Sequence, residues 1–247
     1  PRGTVGLSGS GARVGGVGTS GKQEWGGNGE ADVTRGRQAA GLWGVRVSCD
    51  SGAVNGAPPL SNDHVAAMRD RHAGTVLQAW GAIDPWKGEA ALREAEHAIK
   101  DLGMLGFHFH PIVGRYAVDD PKLRPLFELI NALRVPVMID VGTTGMGAGV
   151  PGGLGSKIQH AHPMALDNLA ADLPDLTIVA AHPGCPWVDE MTAVALHKAN
   201  VDWELSGWAP KYFHAGRRQD ISGRLQSKVL FATDYPHFDA DDPFYIT

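Results

Sequence analysis

The chain has little cysteine, no surplus of positive charge and no long apolar run. Cys49 and Cys185 are its only thiols in 247 residues. Two cysteines do not make a disulfide framework, so they suit a reducing compartment, the cytoplasm. Lys and Arg number 22 against 27 Asp and Glu, a net charge of -5. That balance carries no basic footprint for nucleic acid. Apolar stretches stop short of the ~20 residues that cross a bilayer, so no membrane partner is expected. The first residues lack the apolar core of a signal peptide. Histidine is absent before His64, so imidazole chemistry must come from later in the chain.

Glycine is abundant and unevenly spread. Residues 1–56 hold 16 of the 33 glycines. This stretch has neither helical nor strand periodicity and reads as a flexible leader, disordered or non-native. The run GSGARVG (9–15) has no strand before it and no helix pattern after it, which excludes a phosphate-binding loop. Within the leader only GLWGVRVSCDS (41–51) has strand character, through Val45, Val47 and Cys49. A folded domain is expected from 57 to 247.

From Pro58 onward strands and helices alternate. Helices are expected near 63–72, 89–101, 122–133, 163–173 and 186–198. Strands are expected at 75–83, 106–111, 135–141, 176–181, 201–206 and 228–232. The segment 174–190, PDLTIVAAHPGCPWVDE, shows the unit most clearly. A turn leads into a buried β-branched run. Pro183 and Gly184 stop it at His182, and Pro186 with Asp189 and Glu190 opens a helix. At least six such repeats argue for a parallel sheet with crossover helices. Polar residues recur at the strand ends: Asp84, His108 and His110, Asp140, His182, Glu204 and Asp234. In a (β/α)8 barrel they converge on one face, whereas in an open sheet they would lie along a line.

His108 and His110 stand two apart on one strand, so alternation puts both on one face. Imidazoles and carboxylates at a barrel mouth suit a divalent metal with an open position, such as zinc. Without metal, His182 and Asp234 can act as a base and its orienter. Arg115, Lys211, Arg217 and Arg218 are loop cations available to an anionic substrate or simply solvated. Trp187, Trp208 and Tyr212 wall a pocket or pack in the core. Glu204 has a packing role inside the barrel as its plain reading. Cys185 is constrained by Gly184 and Pro186 and is not taken as a nucleophile.

The segments GFHFHP (106–111), VPVMIDVGTTGMGAG (135–149), LPDLTIVAAHPGCPWVDE (173–190), ELSGWAPKYF (204–213) and KVLFATDYP (228–236) resemble the amidohydrolase-related family. The branch is that of aminocarboxymuconate-semialdehyde decarboxylase and resorcylate-type decarboxylases. The resemblance spans about 58–236 in order. It implies a TIM barrel and a metal-dependent hydrolase or non-oxidative decarboxylase of small carboxylated, often aromatic, substrates. By position, His182 matches the strand-six histidine that activates water or substrate. Asp234 matches the strand-eight aspartate, a metal ligand and proton acceptor. Asp140 falls where the family has a strand-five metal histidine, and His108 on strand four. The implied metal set is Asp140, His182, Asp234 and His108, holding zinc or manganese. His110, Arg115, Trp187, Trp208 and Tyr212 are the expected substrate-binding set. Relatives of this type often dimerise, which implies a homodimer. The strand-one His-x-His pair of the family is missing, so the barrel is expected to be incomplete at its N-terminus. That departure motivates two alternatives, a metal-independent lactone hydrolase or an inactive member.

Overall fold

The computed structural model describes residues 44–46, 49–56, 58, 60–74, 76–208, 210–213, 215–232 and 234. Its strands are β1 (Gly44–Arg46), β2 (Val76–Ala79), β3 (Gly81–Ala82), β4 (Phe107–Phe109), β5 (Val137–Asp140), β6 (Ile178–Ala181), β7 (Val201–Glu204) and β8 (Val229–Leu230). β1 pairs with β2, and β3 through β8 form one sheet in sequence order, every pair parallel.

The strand expected at 75–83 is divided at the buried Trp80. Before Trp80 the ladder faces β1, and after it the ladder faces β4. Backbone bonds from Leu105 N to Ala79 O (2.9 Å) and from Gly81 N to Gly106 O (2.8 Å) carry the pairing across the break. Parallel strands taken strictly in sequence order wind as a barrel does. A doubly wound sheet instead reverses its order at a switch point. The architecture is therefore of the expected TIM-barrel type. β1 lies inside the 1–56 stretch that composition reads as a leader, and so does a short helix, α1 (Gly52–Asn55). Residues 1–43 lie outside the described residues, as does 235–247.

Five of the described helices sit where apolar periodicity places them. α2 (Asn62–Arg71) starts at Ser61, whose hydroxyl accepts from His64 N at 3.2 Å. α3 (Glu89–Lys100) buries Ala91, Ala95 and Ala98 against the sheet, while Leu92 and Ile99 flank them. α4 (Pro111–Gly114) is a single turn after β4. A 3-10 turn capped by Asp120 leads into α5 (Arg124–Ala132), which buries Leu126, Phe127 and Ile130. α6 (Pro163–Asp172), α7 (Val188–His197) and α8 (Ala215–Ser222) complete the described set. Phe107, Phe109, Phe127 and Trp203 are fully buried, and the rings of Phe109 and Phe127 stand 5.1 Å apart. Each such side chain contributes roughly 1.5–3 kcal/mol by leaving water.

Register sets the height of the site. His108 lies opposite Met138, and Asp140 lies opposite Ala181, which lies opposite Glu204. His110 is two residues beyond His108 and so comes level with Asp140. Gly142 follows β5 at φ +82, and a Cβ there would stand 2.4 Å from Gly184 C. Only glycine lets the chain after β5 press against the turn after β6. Thr143 N then donates to Cys185 O at 2.6 Å, tying the two loops together.

Candidate active site

The strand-end residues meet at Asp140. This buried carboxylate closes β5 and has three imidazoles around it. His108 Nε2 lies 2.9 Å from Oδ1, His182 Nε2 lies 3.5 Å from Oδ1, and His110 Nε2 lies 3.4 Å from Oδ2. His110 Nε2 is also 3.3 Å from Thr144 Oγ1, and its Nδ1 accepts from Val113 N at 3.5 Å.

His182 reaches this cluster through its backbone. Strict alternation would turn it away from the face of Ala181. Its φ of 72° breaks that alternation, and Asp234 has a φ of 54°. Left-handed backbone at non-glycine residues costs about 1–3 kcal/mol and gathers at functional sites. Here it occurs at both residues expected to do the chemistry. Trp203 Nε1 donates to His182 O at 2.8 Å and holds the turn.

The electrostatics follow from the packing. Burial is the largest single influence on Asp140 and would raise its carboxyl. The charges of His108 and His110 and hydrogen bonds from His108 and His182 overcome it and hold the group well below the usual carboxylate range. Burial likewise opposes charge on His182. Its hydrogen bond to Asp140 and the charges of Asp140, Asp234 and Glu204 carry it up to about 10. His110 is lowered, by burial first, with the Asp140 charge opposing and the His108 and His182 charges adding. At neutral pH the cluster is thus an Asp140 carboxylate facing a His182 imidazolium.

Cys49, Tyr116 and Ser206 were not among the residues expected at the site, whereas Asp84 and Glu204 were among the expected strand ends. The half-buried Cys49 follows β1, and its thiol is pushed up to about 12 by burial and then by Asp140, Asp50 and Asp84. It is an inert wall rather than a nucleophile. Its place just past a strand was the one signal that could have found it. Tyr116 is raised by burial first and then by Cys49, Asp140 and Asp84. Nothing in the local sequence marks it. Ser206 and Glu204 approach His182 from the side away from Asp140. Asp84 caps two backbone amides, Ala53 N at 2.7 Å and Trp86 N at 3.0 Å.

The expected substrate-binding residues sit on the loops beyond the strand ends. Arg115 ends α4 in left-handed conformation, and its Nη2 lies 3.5 Å from where a Gly155 Cβ would stand. Trp187 packs on His162 with ring centroids 4.6 Å apart. Trp208 and Tyr212 meet edge to face at 6.5 Å, and Tyr212 is 53% exposed. Arg217, expected on a loop, lies in α8 together with Arg218 and pairs with Asp189 at 2.7 Å. A cavity of about 310 Å³ lies at the opposite end, between Asn131, Arg134, Pro136, Asp175 and Thr177, ahead of β5 and β6. None of the clustered groups lines it, and in barrels of this type chemistry belongs to the other face.

A parallel barrel wall with imidazoles and carboxylates gathered at the strand C-termini defines a TIM-barrel protein of the metal-dependent-hydrolase type. The amidohydrolase family model matches residues 37–245, and the chain belongs to that family. Among solved structures it is similar to an uncharacterised TIM-barrel protein from Bordetella bronchiseptica. The two are 28% identical with a TM-score of 0.65, over 83% of this chain and 69% of that one. A dihydroxybenzoic acid decarboxylase from Polaromonas sp. JS666, with bound manganese and 2-nitroresorcinol, is 19% identical with a TM-score of 0.60, over 85% and 76%. A 5-carboxyvanillate decarboxylase from Sphingomonas paucimobilis is 22% identical with a TM-score of 0.53, over 71% and 61%. No curated protein matches the chain.

The donors around Asp140 suit a divalent cation by type, since imidazole and carboxylate are what zinc and its neighbours take. The ligand-to-ligand edge of a tetrahedral site with ~2.1 Å bonds is ~3.4 Å, close to the 3.4 and 3.5 Å separations of His110 and His182 from Asp140. Among the described residues, no group of three or more His, Cys, Asp or Glu is closed around a metal-sized centre. His108 Nε2 is directed at Asp140 Oδ1, so a cation held by this pair would replace the hydrogen they now share, with His182 left beside it.

Proposed function

We propose that the chain is a non-oxidative decarboxylase of a small carboxylated aromatic acid, working at the C-terminal face of the barrel, with hydrolysis as the second reading. The observation that carries this is the His182 ring, fixed between Asp140 on its Nε2 side and Ser206 on its Nδ1 side. A divalent cation would be held by Asp140 and His108, with His182 and Asp234 beside it. Manganese, which the Polaromonas enzyme binds, and zinc are both compatible with this donor set. The cation would supply a Lewis acid for the substrate.

The chain's own groups supply the proton. His182, carried up to about 10, holds a hydrogen on Nε2 at neutral pH. Asp140 stays anionic and stabilises that imidazolium. In decarboxylation the Nε2 hydrogen passes to the ring carbon that bears the carboxylate. The C–C bonding pair then returns to the ring as CO2 departs, and neutral His182 regains a proton from water. The same hydrogen would serve a leaving group in hydrolysis, the reading that family membership favours. Arg115, Lys211, Trp187, Trp208 and Tyr212 stand on the mouth loops where they would meet a carboxylated ring. The free thiols of Cys49 and Cys185 suit the cytoplasm.

The test is a panel of hydroxylated benzoates and lactones offered to the full chain with manganese or zinc, with CO2 release and ester opening followed separately. Release of CO2 that chelation abolishes supports the proposal. Lactone opening that survives chelation would replace it with metal-free hydrolysis.

A further inference from the structure

His182 is held from behind by groups that neither the family match nor the comparisons single out. Its Nδ1 lies 3.2 Å from Ser206 Oγ and 3.2 Å from Ser206 O. Ser206 is itself fixed by Glu204: its N–H donates to Oε1 at 2.5 Å and its hydroxyl donates to Oε2 at 2.8 Å. Burial raises the Glu204 carboxyl, and its hydrogen bonds from Ser206 and the His182 charge oppose that rise. Both Glu204 and Ser206 are 4% exposed.

Hydrogen-bond accounting then decides where one hydrogen sits. The single hydrogen of the Ser206 hydroxyl is committed to Glu204, so Oγ offers His182 only a lone pair. The Ser206 carbonyl is an acceptor as well. Nδ1 therefore faces two acceptors and must carry a hydrogen, whether the ring is charged or neutral. The reactive nitrogen is left as Nε2, turned to Asp140. Gly207 completes the fit. A Cβ there would stand 3.0 Å from Nδ1, at φ +80, so the chain leaves that space to the ring.

We propose that Glu204 and Ser206 are positioning residues that clamp the Nδ1 hydrogen of His182 and so aim Nε2 at the substrate. The inference rests on the reading of His182 as the proton donor, but its test does not use turnover. In the full chain labelled with 15N-histidine, the His182 Nδ1–H gives a resonance absent from His182→Asn and exchanging slowly with solvent. Exchange is followed on the metal-free chain, because Asp234 Oδ2 lies 3.6 Å from the same Gly207 Cβ position that stands 3.0 Å from Nδ1. Ser206→Ala is expected to speed exchange about tenfold, the worth of one hydrogen bond. Ser206→Thr keeps the hydroxyl and is expected to restore the wild-type rate. Glu204→Gln turns an amide donor toward Oγ and frees the hydroxyl hydrogen, so it is expected to perturb the same resonance. A folded Ser206→Ala protein with wild-type exchange and shift would overturn the clamp. A wild-type resonance in folded Glu204→Gln would overturn the part given to Glu204. A chain that turns over no acid yet shows these exchange rates would refute the proposed function and leave the clamp standing.

Discussion

Replacing Asp140 by Asn removes the counter-charge of the cluster while keeping its shape. Asn cannot hold His182 as an imidazolium, and burial then favours the neutral ring. The pH dependence of the cost follows from the two shifts. His182 rises from ~6.5 unfolded to about 10 folded. Its share of stability is therefore complete below pH ~6.5 and is lost as pH climbs through about 10. Asp140 is held below its ordinary ~4, so its share is complete above that value and lost only as pH falls through the depressed one. Linkage on the His182 shift gives at most about 5 kcal/mol near pH 5.5, about 3 near pH 7.5 and about 1 near pH 9.5. The upper end agrees with the ~3–5 kcal/mol of breaking a buried pair by removing one partner. The assay is urea unfolding of metal-free wild type and Asp140→Asn at these three pH values, followed by tryptophan fluorescence. The variant should lose most at pH 5.5 and least at pH 9.5. A cost that stays flat or grows with pH would refute the ion pair.

Other expectations are simpler. Gly207→Ala places a methyl 3.0 Å from His182 Nδ1 at a positive φ, and is expected to cost about 1–2 kcal/mol in unfolding and to lower turnover more than substrate binding. Asn62 accepts from Ala82 N (2.8 Å) and donates to Ala82 O (3.0 Å) and Glu94 Oε1 (2.6 Å) while 3% exposed. Asn62→Ala should therefore cost about 1–3 kcal/mol by chemical denaturation. Cys49, with its thiol at about 12, should resist iodoacetamide at pH 8 in native Cys185→Ser protein and react on unfolding, as mass spectrometry would show.

The winding of the chain was legible because parallel strands announce themselves. Buried runs such as Ile178–Ala181 end at Pro and Gly, and amphipathic helices follow. The same stops located Asp140, His108, His110 and His182, and alternation rightly put the two strand-four histidines together. What local pattern could not supply was the reach of each group. Periodicity has no term for the left-handed turn that brings His182 back toward Asp140. Nor does it show that Glu204, readable as a packing residue, spends its carboxylate on Ser206. The strand at 75–83 read as continuous, since only tertiary contacts reveal the change of partner at Trp80. β1 falls within 41–51, the one part of the glycine-rich stretch with strand character, and it is held there by pairing with β2.

Delivery of the proton by His182 Nε2, in a site built on Asp140, is what the proposed reaction depends on. It is tested most directly by kcat/KM of wild type and His182→Asn, manganese-loaded, on whichever acid of the panel releases CO2. A loss of at least ~100-fold is expected, mostly in kcat, as removal of a general acid requires, in a variant that is still folded at the assay pH although less stable by the lost ion pair. Equal turnover by a folded His182→Asn protein would contradict it.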